Sequence, residues 1–90
     1  MISERDKSTI ISIAGRFKAK RILLFGSNIS SDDREGRDID LAVEGVPPKD
    51  FFKFYGELLF SLNKPVDLID LSIDNKFNQL IRKEGLAIYG

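Results

Sequence analysis

Ninety residues with 42% hydrophobic and 31% charged content make one globular domain, too short to be divided into two independent cores. Fourteen basic residues balance fourteen acidic ones, which removes the long-range field of a general nucleic-acid binder and disfavours a polynucleotide partner. With no cysteine and no histidine, disulfides, thiolate sites, imidazole ligands and the usual neutral-pH base are all excluded, leaving carboxylates, hydroxyls, basic groups and hard metals.

The first seven positions carry charges and no long apolar run, so neither a signal peptide nor a membrane anchor is expected, and a cytoplasmic location is. Ser3 and Asp6 form a weak capping box, and Ile10, Ile13, Ala14 and Phe17 follow at helical spacing, predicting a first helix from about Ser3 to Phe17. Lys20 to Phe25 ends in the continuous apolar run Ile22-Leu23-Leu24-Phe25, a strand buried on both faces and stopped by Gly26. Residues 26 to 37 are almost free of apolar side chains and read as a loop. Asp38, Asp40 and Ala42 then alternate with Ile39, Leu41 and Val43, the period of a strand with one apolar face and one that begins acidic. Pro47-Pro48 opens a helix from about Lys49 to Asn63, whose stripe is Phe51, Phe54, Tyr55, Leu58, Leu59 and Leu62, while Phe52 and Phe60 fall off it. Lys64-Pro65 breaks that helix before a third strand, Val66 to Leu71. Asp74 is expected to cap a last helix carrying Phe77, Leu80 and Ile81 and ending at Gly85, and Leu86 to Tyr89 reads as a short edge strand. The order is α-β-β-α-β-α-β, a single α/β (α+β) domain over residues 1–90: one small mixed sheet with helices mainly on one face.

Two features carry chemistry. Gly26-Ser27 stands where a buried strand ends, and a glycine there lets backbone approach a phosphate without a Cβ in the way, although Gly-Ser turns are common for ordinary reasons. Asp38 and Asp40 leave one face of a strand with Cα atoms roughly 6.6 Å apart. Two such charges about 5 Å apart repel by roughly 3 kcal/mol at an effective dielectric near 20. A divalent cation removes that cost. Mg²⁺ suits paired carboxylates plus substrate phosphates, and a two-metal site needs one more acid. Asp67 interrupts an apolar strand and is the better candidate; alternatively Asp67 sits on an exposed face and Asp70 serves a helix N-terminus or a backbone partner.

A strand ending in Gly-Ser, ten intervening residues, a strand beginning Asp-x-Asp and a further acid in a later strand resemble the DNA polymerase beta-like nucleotidyltransferase superfamily. The likeness is greatest to its minimal, antitoxin-type members that pair with HEPT-domain proteins. It runs from Arg21-Ile-Leu-Leu-Phe-Gly-Ser27 through Arg37-Asp-Ile-Asp-Leu-Ala-Val43 and Val66-Asp-Leu-Ile-Asp-Leu71 to Ile81-Arg-Lys-Glu-Gly85 and Ile88-Tyr89. The resemblance implies that Gly26 and Ser27 hold the triphosphate of ATP and that Asp38 and Asp40 ligate two Mg²⁺ ions. Asp67 would ligate the ion that activates the attacking hydroxyl and help remove its proton. The implied reaction is in-line attack on the α-phosphate with release of pyrophosphate. Members commonly carry an Arg directly after Gly-Ser, whereas this chain has Asn28-Ile29-Ser30-Ser31. Arg34 and Arg37 are the basic residues left to contact phosphate, and they equally suit neutralising Asp32, Asp33 or Glu35.

Larger relatives hold the acceptor with an additional helical domain. For the minimal members the resemblance implies a separate HEPT-type toxin as partner, adenylylated on a tyrosine hydroxyl, and thus an antitoxin enzyme. The alternative is a binding module that blocks its partner by contact. Phe52 and Phe60 either widen the core-facing stripe or face a partner, and a homo-oligomer is a further possible assembly.

Overall fold

The computed structural model describes residues 2–26 and 38–90. Helix α1 spans Glu4–Arg16; the Ser3 Oγ caps it by accepting from the Asp6 N–H at 3.1 Å, and Ile10, Ile13 and Ala14 form its buried stripe. Strand β1 is Arg21–Leu24 and β2 is Ile39–Glu44, followed by α2 (Pro48–Leu62), β3 (Val66–Asp70), α3 (Lys76–Glu84) and β4 (Leu86–Tyr89). The expected order and the mixed sheet are both present.

The sheet runs β3-β2-β1-β4. β1 pairs antiparallel with β2 and β4, and β2 pairs parallel with β3. The parallel step is possible because α2 supplies the crossover between β2 and β3. Alternation along the central strands sorts the two faces. Ile22, Leu24, Ile39, Leu41 and Val43 join Ile10, Ile13, Phe54 and Leu58 in the larger core beneath α1 and α2. Phe17 meets Phe54 edge to face at 5.3 Å there. Each fully buried side chain of this kind contributes about 1.5–3 kcal/mol relative to exposure. On the opposite face Leu23, Ala42, Leu71 and Ile81 form a smaller cluster, which is where α3 packs. Among the described residues, α1 and α2 thus share one face, and α3 lies on the face where Asp40 emerges.

Several details depart from expectation. Asn75, not Asp74, caps α3, its side chain accepting from the Asn78 N–H at 2.8 Å. Asn78 itself is buried, its Nδ2 donating to the carbonyls of Asp70 and Ile73 at 3.0 and 2.6 Å; it locks the turn after β3 to α3. Leu59 is 43% exposed, at the edge of the α2 stripe, and Phe77 and Leu80 are exposed on α3, where Ile81 supplies the buried contact. Gly85 ends α3 with φ −69°, an ordinary conformation. Glycine is needed there for space, since a Cβ would lie 2.6 Å from the Ile81 carbonyl oxygen.

Candidate active site

The site begins where β1 ends. The Phe25 N–H donates to the Asp40 carbonyl at 3.2 Å, so the last residue of that chain segment is pinned beside β2. Gly26 follows with φ +68°, and a Cβ at this position would lie 2.7 Å from Asp40 Oδ2. The glycine is favoured by its left-handed backbone, and any Cβ there would push the Asp40 carboxylate aside.

Asp40 is the second residue of β2 and Asp67 the second residue of β3, and the parallel register sets them directly side by side. Register neighbours in a sheet point to the same face. Sequence periodicity gave the face of each acid; strand pairing brings the two together. Burial, the Asp67 charge, a hydrogen bond shared with Asp67, and the Asp38 charge all push the Asp40 carboxyl above its ordinary value of 3.8. Asp38 stands just ahead of β2 and is exposed, close enough to add to that field.

Asp70 is the acid that does not belong. Its Oδ1 accepts from the Ser72 N–H at 2.9 Å and the Ser72 hydroxyl at 2.7 Å, closing the turn after β3. Of the two readings of this strand, the exposed Asp67 stands next to Asp40 and Asp70 has the backbone partner. Ser27, Arg34 and Arg37, and the Asn28 to Ser31 segment, lie outside the described residues.

The donor set fits a hard cation. Two carboxylates are already held together at a Coulombic cost, and a third lies at the entrance to the same strand. Among the described residues no three acidic side chains are gathered tightly enough to enclose an ion by themselves.

Sequence patterning did not reveal what borders this site. Phe25 and Phe77 meet edge to face at 6.0 Å and, with Gly26, Leu80, Ile81, Gly85 and one acid, Glu84, line a mainly apolar cavity of about 280 Å³ between the end of β1 and α3. The continuous apolar run at Ile22 to Phe25 was a signal that both faces of β1 would be covered, but it did not say by what. Farther along the acidic face, Arg82 of α3 reaches Glu44 at 3.2 Å and the Leu71 carbonyl at 2.8 Å. The hydrogen bond from Arg82, with the Arg82, Lys20 and Arg21 charges, holds the Glu44 carboxyl below its usual range. Glu44 is thus committed to a structural pair.

A four-stranded mixed sheet in this order, with a glycine-ended strand beside in-register acids, defines the nucleotidyltransferase-like class of α/β domain. The polymerase beta nucleotidyltransferase profile matches residues 8–90, and the chain belongs to that family. It is a nucleotidyltransferase by family. Among solved structures it is similar to a toxin-antitoxin crystallised with AMP-PNP, at 26% identity and TM-score 0.76 over 93% of this chain and 73% of that one. The MntA-HepT toxin-antitoxin superposes with TM-score 0.74 at 23% identity, over 98% of this chain and 73% of that one. A candidate minimal nucleotidyltransferase gives 0.73 at 23% identity, over 91% and 88% of the two chains. The likenesses at 23% identity establish the fold alone. No curated protein matches the chain. No helix among the described residues is long and apolar enough to cross a membrane.

Proposed function

We propose that the chain transfers AMP from ATP, with Mg²⁺, to a tyrosine hydroxyl of a HEPT-type helical toxin, and so acts as its antitoxin. The observation that carries the reading is the in-register placement of Asp40 beside Asp67, with Gly26 against Asp40. In this reading Gly26 and Ser27 admit the triphosphate, helped by Arg37, and Asp38, Asp40 and Asp67 hold the metal. When bound, Mg²⁺ would neutralise phosphate charge and lower the pKa of the attacking hydroxyl. Asp67, on edge strand β3, takes the role of receiving that hydroxyl's proton. Asp40, flanked by Gly26 on one side and Asp67 on the other, orients the donor.

Support for the nucleotide and for the partner comes from the similar structures, one crystallised with AMP-PNP and another a complex with HepT. The cytoplasm, where ATP and Mg²⁺ are available, is the compartment this chemistry requires.

The test is to incubate the chain with its co-purifying partner and α-labelled ATP, beside the Asp38→Asn/Asp40→Asn variant. Label on the partner from the unchanged chain alone supports the reading. No label from the unchanged chain, together with undiminished neutralisation of the partner by the double variant, would replace it with inhibition by contact.

A further inference from the structure

Helix α2 buries Phe54, Leu58 and Leu62 against the sheet, yet its outer side is also apolar. Phe52 and Phe60 are 81% and 87% exposed, with Leu59 beside them. Phe52, Gly56 and Phe60 follow one another at intervals of four, so they form a single ridge along the helix surface. The glycine at its centre has no explanation inside the chain. A Cβ added to Gly56 would meet nothing within 4 Å, Gly56 is not among the positive-φ residues, and glycine weakens a helix interior. What a bare glycine offers on an exposed ridge is close approach for another backbone.

We propose that this ridge is a self-association face, on which two copies of the chain pair their α2 helices antiparallel about a two-fold axis through Gly56. The occupant follows from the symmetry of the ridge. Such an axis sends each position before Gly56 onto the position equally far after it, so Phe52 of either copy meets Phe60 of the other. Packing of i±4 ridges is a common way for helices to cross, and glycine at the crossing point brings the axes close enough for the flanking rings to interlock. By the same rule Lys53 falls level with Leu59 of the other copy, where its aliphatic stem can cover that side chain, while Glu57 stays with Arg16 of its own chain at 2.9 Å. Antiparallel helix dipoles are also opposed favourably.

The size is adequate for a reversible dimer. Each phenylalanine offers about 150–200 Å², so the four rings supply roughly 600–800 Å², and Leu59 with the rim brings the total near the ~1,000 Å² expected of a specific contact. The interface lies on the α1/α2 layer, opposite the face that carries Asp40 and Asp67, so pairing leaves the candidate active site open.

Because the chain has no cysteine, one introduced thiol reports one contact. Gly56→Cys should give a disulfide-linked dimer under mild oxidation, whereas Lys83→Cys on exposed α3 should not. In sedimentation equilibrium the unchanged chain should dimerise at micromolar concentrations. Phe52→Ser/Phe60→Ser, and separately Gly56→Leu, should weaken dimerisation at least tenfold. Gly56→Leu improves helix propensity and should melt no lower than the unchanged chain, which separates a lost contact from a lost fold. A chain that stays monomeric at several hundred micromolar overturns the proposal. So does a Gly56→Leu chain that dimerises as tightly as the original, or a ridge that becomes protected from solvent only when a different helical protein is added.

Discussion

Gly26→Ala separates the two demands placed on that glycine. An alanine at φ +68° costs roughly 1–2 kcal/mol because its Cβ crowds the neighbouring carbonyl in the left-handed region. The new methyl would also lie 2.7 Å from Asp40 Oδ2, while Asp40 Cγ is at 3.5 Å and its Cβ at 3.8 Å. Only the carboxylate oxygen overlaps, and a side-chain rotation that moves it by about 0.7 Å restores an ordinary contact. The fold should therefore survive with a Tm lowered by about 4–16 °C, as expected of 1–2 kcal/mol in a domain this small. Catalysis should suffer far more, since misplacing a reacting group by about 1 Å costs on the order of 100-fold. The assay pairs melting curves with single-turnover transfer from α-labelled ATP, run well below the variant's Tm. Gly45→Ala is the control: its φ is +101° and its Cβ would strike the Lys20 backbone nitrogen at 2.6 Å, away from the acids. It should melt at least as low as Gly26→Ala and keep its transfer rate. A Gly26→Ala chain that melts low but transfers within about threefold of the original would refute the claim that Gly26 sets the Asp40 carboxylate.

Asp40→Asn should abolish transfer yet raise the Tm at neutral pH without divalent ions. Strands about 4.8 Å apart place two solvent-screened charges at a repulsion of about 1 kcal/mol, or roughly 4–8 °C. Because the folded Asp40 carboxyl is raised above 3.8, its ionisation opposes folding as pH rises, so the gain should vanish in melts below that value. MgATP should raise the Tm of the unchanged chain and not that of Asp38→Asn/Asp40→Asn, as ligand linkage requires. Asn78→Ala should lower stability by about 1–3 kcal/mol, measured by urea unfolding, because it removes the two hydrogen bonds that a buried amide gives to the carbonyls of Asp70 and Ile73. Glu44, held below its ordinary value of 4.5 chiefly by the Arg82 hydrogen bond, stabilises the fold above that pH and ceases to as pH falls through its lowered range. The Tm advantage over Glu44→Gln should shrink across that acid range, and a constant difference from neutral to acid pH would remove the pair from the account.

What could be read from the sequence was whatever has a local period. Alternation assigned Asp38 and Asp40 to one face and sent Leu41 and Val43 to the other, and the 3.6-residue stripe of α2 separated Phe54 and Leu58 from Phe52 and Phe60. Pairing has no local period. Nothing between Gly45 and Pro65 says that β3 will lie beside β2, and that adjacency is what turns Asp40 and Asp67 into a pair. The same limit hid the position of α3. Phe77, Leu80 and Ile81 are placed on that helix by hydrophobicity alone, whereas its buried contacts come from Ile81 and from Asn78, a polar residue whose two carbonyl partners are created by the turn. The choice of Asn75 over Asp74 as cap turned on a single residue of phase, beyond what spacing can resolve.

In the proposed reading the acidic face is a place where stability is given up for a ligand. On the described sheet Glu44 finds a cation in Arg82 and Asp70 finds the Ser72 N–H and hydroxyl, whereas Asp40 is set beside a second carboxylate, Asp67, in register and pressed by Gly26. Neither acid is needed to close the sheet, since backbone ladders and the Leu41 and Leu68 side chains on the far face already join β2 to β3. A local conflict that the rest of the fold tolerates is the signature expected of a functional site. The same logic applies to Gly56, where a helix accepts its least favourable ordinary residue at an open position. The two departures differ in kind: one stores electrostatic repulsion that a cation relieves, the other leaves a gap that only a second backbone can fill. They lie on opposite faces of one sheet, so metal binding and self-association can be perturbed one at a time, and a variant that disturbed both together would point to unfolding rather than to either site.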